Sequence, residues 1–204
     1  MKIINIGFNY VKHQNEMLDY KVNEPVFFFK PDTTLLRDND SFYVPEKLGQ
    51  IDYECEVVIK IDKMIKGMDA KFASKCYSEI GLGIDFTARD IQRKCVAKGY
   101  PWDASKSFDY SSVISTQFVR KEELPPVDEL HFRLEKNGKT VQSGYTGDMV
   151  LSVDKIIEVV SGYATLKTGD LIYTGTPEGV GPVVPGDRLT GYLEDRVMFD
   201  FMIK

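Results

Sequence analysis

The sequence predicts a β-rich α+β fold, and three observations lead there. Short apolar runs rich in β-branched or aromatic residues recur along the chain. The second half is made almost wholly of such runs, and one pair of them flanks the turn dipeptide Asn137-Gly138. The stretches with helical periodicity are few and short.

In chain order, Ile3 to Gly7 reads as a strand, Val11 to Leu18 as a short helix and Val26 to Lys30 as a second strand. Tyr53 to Ile61 is rich in β-branched residues and long enough for a central strand. A helix is expected over Asp69 to Tyr77, followed by a glycine-spaced strand, Glu79 to Phe86. Thr87 is placed to cap a helix running to Lys98, with Asp90 completing a short capping box and Gly99 at the position after the end. Leu130 to Glu135 and Lys139 to Ser143 form the hairpin. Its Asn-Gly turn favours positive φ at both central residues, which is the type I′ geometry. Val153, Ile156, Ile157 and Val160 mark one face of a helix ending at Gly162. Leu171 to Thr174, Arg188 to Leu193 and Val197 to Ile203 close the chain as strands. With no repeat, low-complexity tract or linker in sight, one domain over residues 1–204 is expected.

Composition narrows the function classes. The 204 residues carry 26 Lys+Arg against 31 Asp+Glu, a net charge of −5, and no basic run, so binding nucleic acid through bulk charge is not expected. The strongest apolar stretch, Pro25 to Phe29, is far too short to span a bilayer. The opening residues Met1 to Asn5 run straight into a strand-like pattern. Cys55, Cys76 and Cys95 are widely spaced, with no Cys-x-x-Cys pair, and read as reduced thiols; together these lead to the expectation of a cytoplasmic protein.

The sharpest local feature is Asp52-Tyr53-Glu54-Cys55-Glu56. On a strand, Glu54 and Glu56 share one face while Tyr53, Cys55, Val57, Ile59 and Ile61 line the other. Two carboxylates side by side on a half-buried face repel unless protons, a basic side chain or a cation compensate, and all-oxygen ligation suits Mg²⁺, Mn²⁺ or Ca²⁺. The same five residues also read as the exposed half of an edge strand with two solvated glutamates. Asp85 sits where a strand gives way to a helix start, and Arg89 and Gln92 share a face of the first helical turn. An anion above that turn would meet backbone N–H groups, a guanidinium and an amide, whereas the plainer reading is a helix-start carboxylate and a surface cation. Lys106 falls in a loop beside the only tryptophan, Trp102. Thr174 to Pro182 is glycine-rich but lacks the lysine of a phosphate loop. His13 and Glu16 are an i, i+3 pair, close enough for a carboxylate to orient an imidazole. His131 reads as structural.

Together these segments resemble one family. Gly7-x-Asn9-Tyr10-x-x-His13-x-x-Glu16, Tyr53-Glu54-x-Glu56, Asp85-x-Thr87-Ala88-Arg89-Asp90-x-Gln92, Lys106-Ser107-Phe108-Asp109, Asp148-Met149 and Thr174-Gly175-Thr176-Pro177-x-Gly179-Val180-Gly181 follow, in this order, the pattern of the fumarylacetoacetate hydrolase family. The likeness covers nearly the whole chain and is greatest to the acylpyruvase and oxaloacetate decarboxylase branch. It implies a mixed β-sandwich roll of the family's C-terminal-domain type, usually homodimeric. It also implies Glu54, Glu56 and Asp85 as ligands of Mg²⁺ or Mn²⁺, His13 and Glu16 as the dyad that activates water, and Lys106 as the catalytic lysine. Arg89, Gln92 and Thr176 match positions that hold the substrate's carboxylate end. Phe8 stands where the family often carries Lys or Arg, which bears on any second anionic group of the substrate.

The expected chemistry follows from charge. Three carboxylates and a dication leave about one negative charge, so an anionic 2-oxo acid needs Arg89 and Lys106 to approach. A 2-oxo acid can chelate the ion, which then acts as a Lewis acid when the neighbouring C–C bond breaks. His13 would take a proton from water in hydrolysis, and Lys106 would stabilise oxyanion charge. The leading expectation is a metal-dependent acylpyruvate hydrolase with oxaloacetate decarboxylase activity. The alternatives are an isomerase or decarboxylase of 2-hydroxy-dienedioates, and a non-catalytic 2-oxo-acid binding protein. Residues 10–20, carrying the dyad on a helix too short to be stable alone, are expected to be a lid that orders over bound substrate, with Val11, Met17 and Leu18 as its apolar anchors.

Overall fold

The structure, a computed structural model, describes residues 1–17 and 25–204, with the backbone alone described for 15–17. The strands are β1 (Ile3–Gly7), β2 (Val26–Lys30), β3 (Leu35–Leu36), β4 (Ile51–Tyr53), β5 (Cys55–Ile61), β6 (Tyr77–Asp85), β7 (Thr87–Ala88), β8 (Ser112–Ile114) and β9 (Val119–Arg120). They continue with β10 (His131–Lys136), β11 (Lys139–Tyr145), β12 (Leu171–Tyr173), β13 (Gly181–Pro182), β14 (Arg188–Leu193) and β15 (Arg196–Met202). The α-helices are α1 (Val11–Met17), α2 (Ala70–Ala73), α3 (Arg89–Lys98), α4 (Asp103–Lys106) and α5 (Val153–Tyr163). The expected β-rich α+β class is the observed one, with strands dominant and helices short.

The largest sheet runs β2-β1-β12-β5-β6-β8-β3, with β9 paired to β6. It is mixed: β1–β12 and β3–β8 are parallel and the other pairs antiparallel. Separate sheets run β11-β10-β14-β15 and β13-β4-β7. Alternation along β5 and β6 sends Val57, Ile59, Leu82 and Ile84 into the main core, which includes Leu134 and Phe199 of the four-stranded sheet and Ile157 of α5. The opposite face carries Ile3, Val58 and Tyr173 in a smaller apolar cluster.

Glu56, Lys30 and Asp85 belong to that second face by the same alternation. In a flat sheet, β2 and β6 would lie about 19 Å apart, four strand spacings. Yet Lys30 Nζ on β2 is 2.8 Å from Asp85 Oδ1 on β6. The sheet therefore curls around this face. Tyr173 Oη closes the same concavity by donating to the Val113 carbonyl of β8 at 2.7 Å.

Several elements differ from expectation for physical reasons. The strand over Tyr53 to Ile61 is interrupted at Glu54, where β4 leaves for a different sheet partner than β5. Thr87 does not cap α3: its backbone pairs with Asp52, and Ala88 stands at the cap with no side-chain bond. The helix expected over Asp69 to Tyr77 is α2 followed by a 3₁₀ turn, Ser74–Cys76, with Asp69 capping at its start and Tyr77 already in β6. Lys106 is the last residue of α4 rather than a loop residue. Gly99 has the expected left-handed C-terminal conformation, φ 66°. Asn137 and Gly138 have φ of 54° and 75°, as a type I′ turn requires. His131 stacks on Tyr145 at 4.7 Å. All three cysteines are buried and free. Among the described residues, no helix is long and apolar enough to cross a membrane.

Candidate active site

Glu54, Glu56 and Asp85 come together on the concave face, all buried, with one oxygen of each within 4.8 Å of the others. The break at Glu54 and the diagonal offset of Asp85 from Glu56 across the β5–β6 ladder make this possible. The set is purely oxygen and clustered, which fits one hard divalent cation and none of the softer metals that call for thiolate or imidazole.

Basic groups are woven through it. Lys106 Nζ donates to Glu54 Oε2 at 2.7 Å, to Asp85 Oδ2 at 2.8 Å and to Thr87 Oγ1 at 2.5 Å. Lys30 Nζ takes the other Asp85 oxygen and the Ser111 carbonyl. Arg89, 2% exposed, is engaged at every nitrogen: Nε with Asp52 at 2.7 Å, Nη2 with Glu54 Oε1 at 2.7 Å, and Nη1 with the Gln92 amide oxygen. Gln92 thus orients the guanidinium, and the guanidinium holds Glu54. Among the described residues no basic side chain donates to Glu56; its Oε2 accepts the Gly175 N–H at 2.6 Å. Gly175 sits at φ 101°, where a Cβ would fall 2.7 Å from Asn9 Cβ, so only glycine turns this N–H toward Glu56. Asn9 Nδ2 in turn pins the loop through the Thr174 carbonyl. The Thr176 hydroxyl donates to the Cys55 carbonyl and accepts from Gln142 Nε2.

These contacts separate the protonation states of the two glutamates. Burial alone would push the Glu54 carboxyl up, but the charges of Lys106 and Arg89 hold it well below the ordinary range. Burial, together with the charges of Asp85 and Glu54, pushes the Glu56 carboxyl far up. For Lys106, burial is outweighed by Asp85 and Glu54, so its ammonium is more firmly protonated than usual. For Lys30, burial wins over the pull of Asp85 and lowers it.

A cavity of about 220 Å³ opens above this cluster, and its lining includes every residue of the sequence-derived site whose side chain is described: His13, Glu54, Glu56, Asp85, Arg89, Gln92, Lys106 and Thr176. His13 is buried on α1. The Glu16 side chain lies outside the described residues. Gln14, also buried, donates to the Phe8 carbonyl at 2.7 Å. The described start of α1 is thus seated by polar residues, while Val11, expected as an apolar anchor, is 45% exposed; Leu18 lies outside the described residues.

The sequence profile of the fumarylacetoacetate (FAA) hydrolase C-terminal family matches residues 2–198. The chain belongs to the fumarylacetoacetate hydrolase family. Within it, the mouse mitochondrial protein named oxaloacetate tautomerase FAHD1 is 36% identical over 202 residues, covering 99% of this chain and 91% of that protein. A fumarylpyruvate hydrolase from Pseudomonas aeruginosa, solved in complex with Mn²⁺ and pyruvate, superposes with a TM-score of 0.93 at 27% identity, covering 100% of this chain and 89% of that one. A 5-carboxymethyl-2-hydroxymuconate delta-isomerase from Mycobacterium smegmatis does so at 0.87 and 30% identity, covering 99% and 78%. Hydrolases, tautomerases and isomerases of small organic acids therefore share this fold.

Sequence reading missed four contributors to the site. Lys30 ends an apolar strand, and nothing local marks it as a partner of Asp85. Asp52 stands in the same acidic run as the glutamates but serves Arg89. Gln142 lies in the distant hairpin, where its Oε1 accepts from Cys55 N. The Gly175 contact is made by backbone, which no side-chain pattern reveals.

Proposed function

We propose that the protein is a divalent-metal-dependent enzyme that hydrolyses the C–C bond of acylpyruvates and acts on oxaloacetate in the same site. The observation that carries this is the buried cluster of Glu54, Glu56 and Asp85 bridged by Lys106 at the floor of a cavity. Those three carboxylates would hold Mg²⁺ or Mn²⁺; the Mn²⁺ and pyruvate bound by the Pseudomonas aeruginosa relative support the choice of ion and of ligand class. When bound, the ion supplies a Lewis acid for the carboxylate and keto oxygen of a 2-oxo acid, lowering the cost of negative charge at that oxygen.

The chain's own groups do the rest. Lys106, its ammonium more firmly protonated than usual, exchanges one of its three acceptors to donate to the oxygen on which charge gathers. In hydrolysis His13 takes a proton from water, the water oxygen bonds to C4, and the C3–C4 electron pair leaves toward the 2-keto group. C3 then regains a proton, giving a carboxylic acid and pyruvate. Arg89 and Gln92 fix Glu54 and so the cluster's geometry.

A second reading, tautomerisation of oxaloacetate, is favoured by the mouse relative, which is named for it and matched over nearly its whole length. It needs proton transfer at C3 but no attacking water. Turnover of acetylpyruvate and oxaloacetate should be measured side by side, with Mg²⁺, with Mn²⁺ and with chelator. Loss of both activities in chelator with the fold intact is expected; full activity there would overturn the proposal. Keto–enol exchange of oxaloacetate without cleavage of acetylpyruvate would select the second reading.

A further inference from the structure

The cavity has two chemically different parts. Its floor is the charged cluster described above, and its wall is aromatic, lined by Phe8, Phe28 and Trp102. Trp102 meets Phe8 edge-on at 5.6 Å and Phe28 at 5.9 Å, so the rings form one connected surface. All three are only partly buried. Lys106 Nζ lies 5.6 Å from the Phe28 ring centre, which places the junction of wall and floor at the lysine. Phe8 is held at φ 57°, a strained conformation for a bulky residue, with its carbonyl bonded by Gln14. Arg93 also lines the cavity, but its guanidinium is exposed and paired with Asp90 at 3.4 Å.

We propose that this wall is a subsite for the acyl group, selecting 2,4-dioxo acids that carry an apolar substituent beyond C4 over those with a second carboxylate at the far end. Phe8 is its specificity-determining residue. This rests on the reading that the 2-oxo-acid end is held at the carboxylate cluster. An apolar group laid on partly exposed rings removes apolar surface of both from water. A distal carboxylate in the same place loses hydration and finds on the rings only the neutral indole N–H of Trp102, with no charge to match its own. Oxaloacetate escapes this penalty because its second carboxylate is at C4 itself, next to the polar floor. Fumarylpyruvate and the 2-hydroxy-dienedioates do not.

The test is kcat/KM of the Mg²⁺- or Mn²⁺-loaded enzyme for acetyl-, butyryl- and fumarylpyruvate, with oxaloacetate alongside. Butyrylpyruvate should exceed acetylpyruvate, and fumarylpyruvate should fall roughly tenfold or more below butyrylpyruvate. Phe8→Arg should narrow that last ratio by roughly tenfold, whereas Phe8→Leu should keep the order. Fumarylpyruvate turned over as well as butyrylpyruvate, or a ratio unmoved by Phe8→Arg, overturns the inference. If the arginine variant does not fold, the unmodified enzyme's ratio decides alone. Turnover of none of the four substrates overturns the underlying reading; turnover in the wrong order overturns only the acyl subsite.

Discussion

Replacing Arg89 with Met isolates what the buried guanidinium does. Arg89 holds two carboxylates that are themselves buried, Asp52 and Glu54. Removing one partner of a buried ion pair costs about 3–5 kcal/mol, mostly because the remaining charge stays out of water. Here both carboxylates keep another donor: Gln50 Nε2 on Asp52 and Lys106 on Glu54. The loss should therefore sit at the low end, about 3 kcal/mol, or a fall of roughly 6–12 °C in Tm for a chain of this size. The assay is thermal unfolding by near-ultraviolet circular dichroism in EDTA, repeated across pH. Glu54 has its folded-state carboxyl held well below its unfolded value, so its contribution is present above about pH 4.3 and fades as pH falls further. The deficit of Arg89→Met should be largest near pH 7 and shrink below pH ~4. Asp52→Asn combined with Arg89→Met should destabilise less than the sum of the two changes, because they share one interaction. A deficit under about 1 kcal/mol at pH 7, or strict additivity, would refute the assignment of Arg89 as the organiser of the carboxylates.

Three further outcomes are expected. Burial and acidic neighbours push the Glu56 carboxyl up, and it must be ionised to ligate, so Mn²⁺ binding should release a proton and tighten as pH rises. Calorimetry in buffers of different ionisation enthalpy reads this directly, and a buffer-independent heat would contradict it. His13→Ala should lower acylpyruvate hydrolysis by roughly 10²–10⁴-fold and oxaloacetate turnover far less; equal losses would make His13 a positioning group. Amide exchange across residues 10–20 should slow when Mg²⁺ and oxalate are added together, as a closing lid requires; identical exchange in both states would count against the lid.

The strands most legible in the sequence were those whose own composition decides them. β1, β2 and β14 fall where pattern alone puts them, and the two strands of the Asn137-Gly138 hairpin within two residues of it. Legibility failed where tertiary pairing overrides local preference. Thr87 has every local mark of a helix cap, yet its backbone is taken by β4 and its hydroxyl by Lys106. The pairing of Glu54 with Glu56 could be anticipated because residues at i, i+2 of a strand share a face, whereas Asp85 joined them only through the family resemblance. Lys30 could not be anticipated, because it meets Asp85 only through the curl of a sheet, and curl leaves no mark in a five-residue strand.

The strand order also constrains how the chain comes to be folded. β12 lies between β1 and β5, pairing with one through Ile3–Leu171 and with the other through Lys60–Leu171. Until residues 171–173 leave the ribosome, both older strands present an edge with no partner. At a synthesis rate of 5–20 residues per second, the stretch from β5 to β12 takes about 5–20 s to make. For that interval the nascent chain displays two apolar strand edges, the feature most prone to pairing with other chains. The Gly175 N–H that fixes Glu56 arrives in the same late segment. A truncated chain ending before β12 would therefore lack both the closed sheet and the finished cluster, and aggregation, not partial activity, is its expected fate.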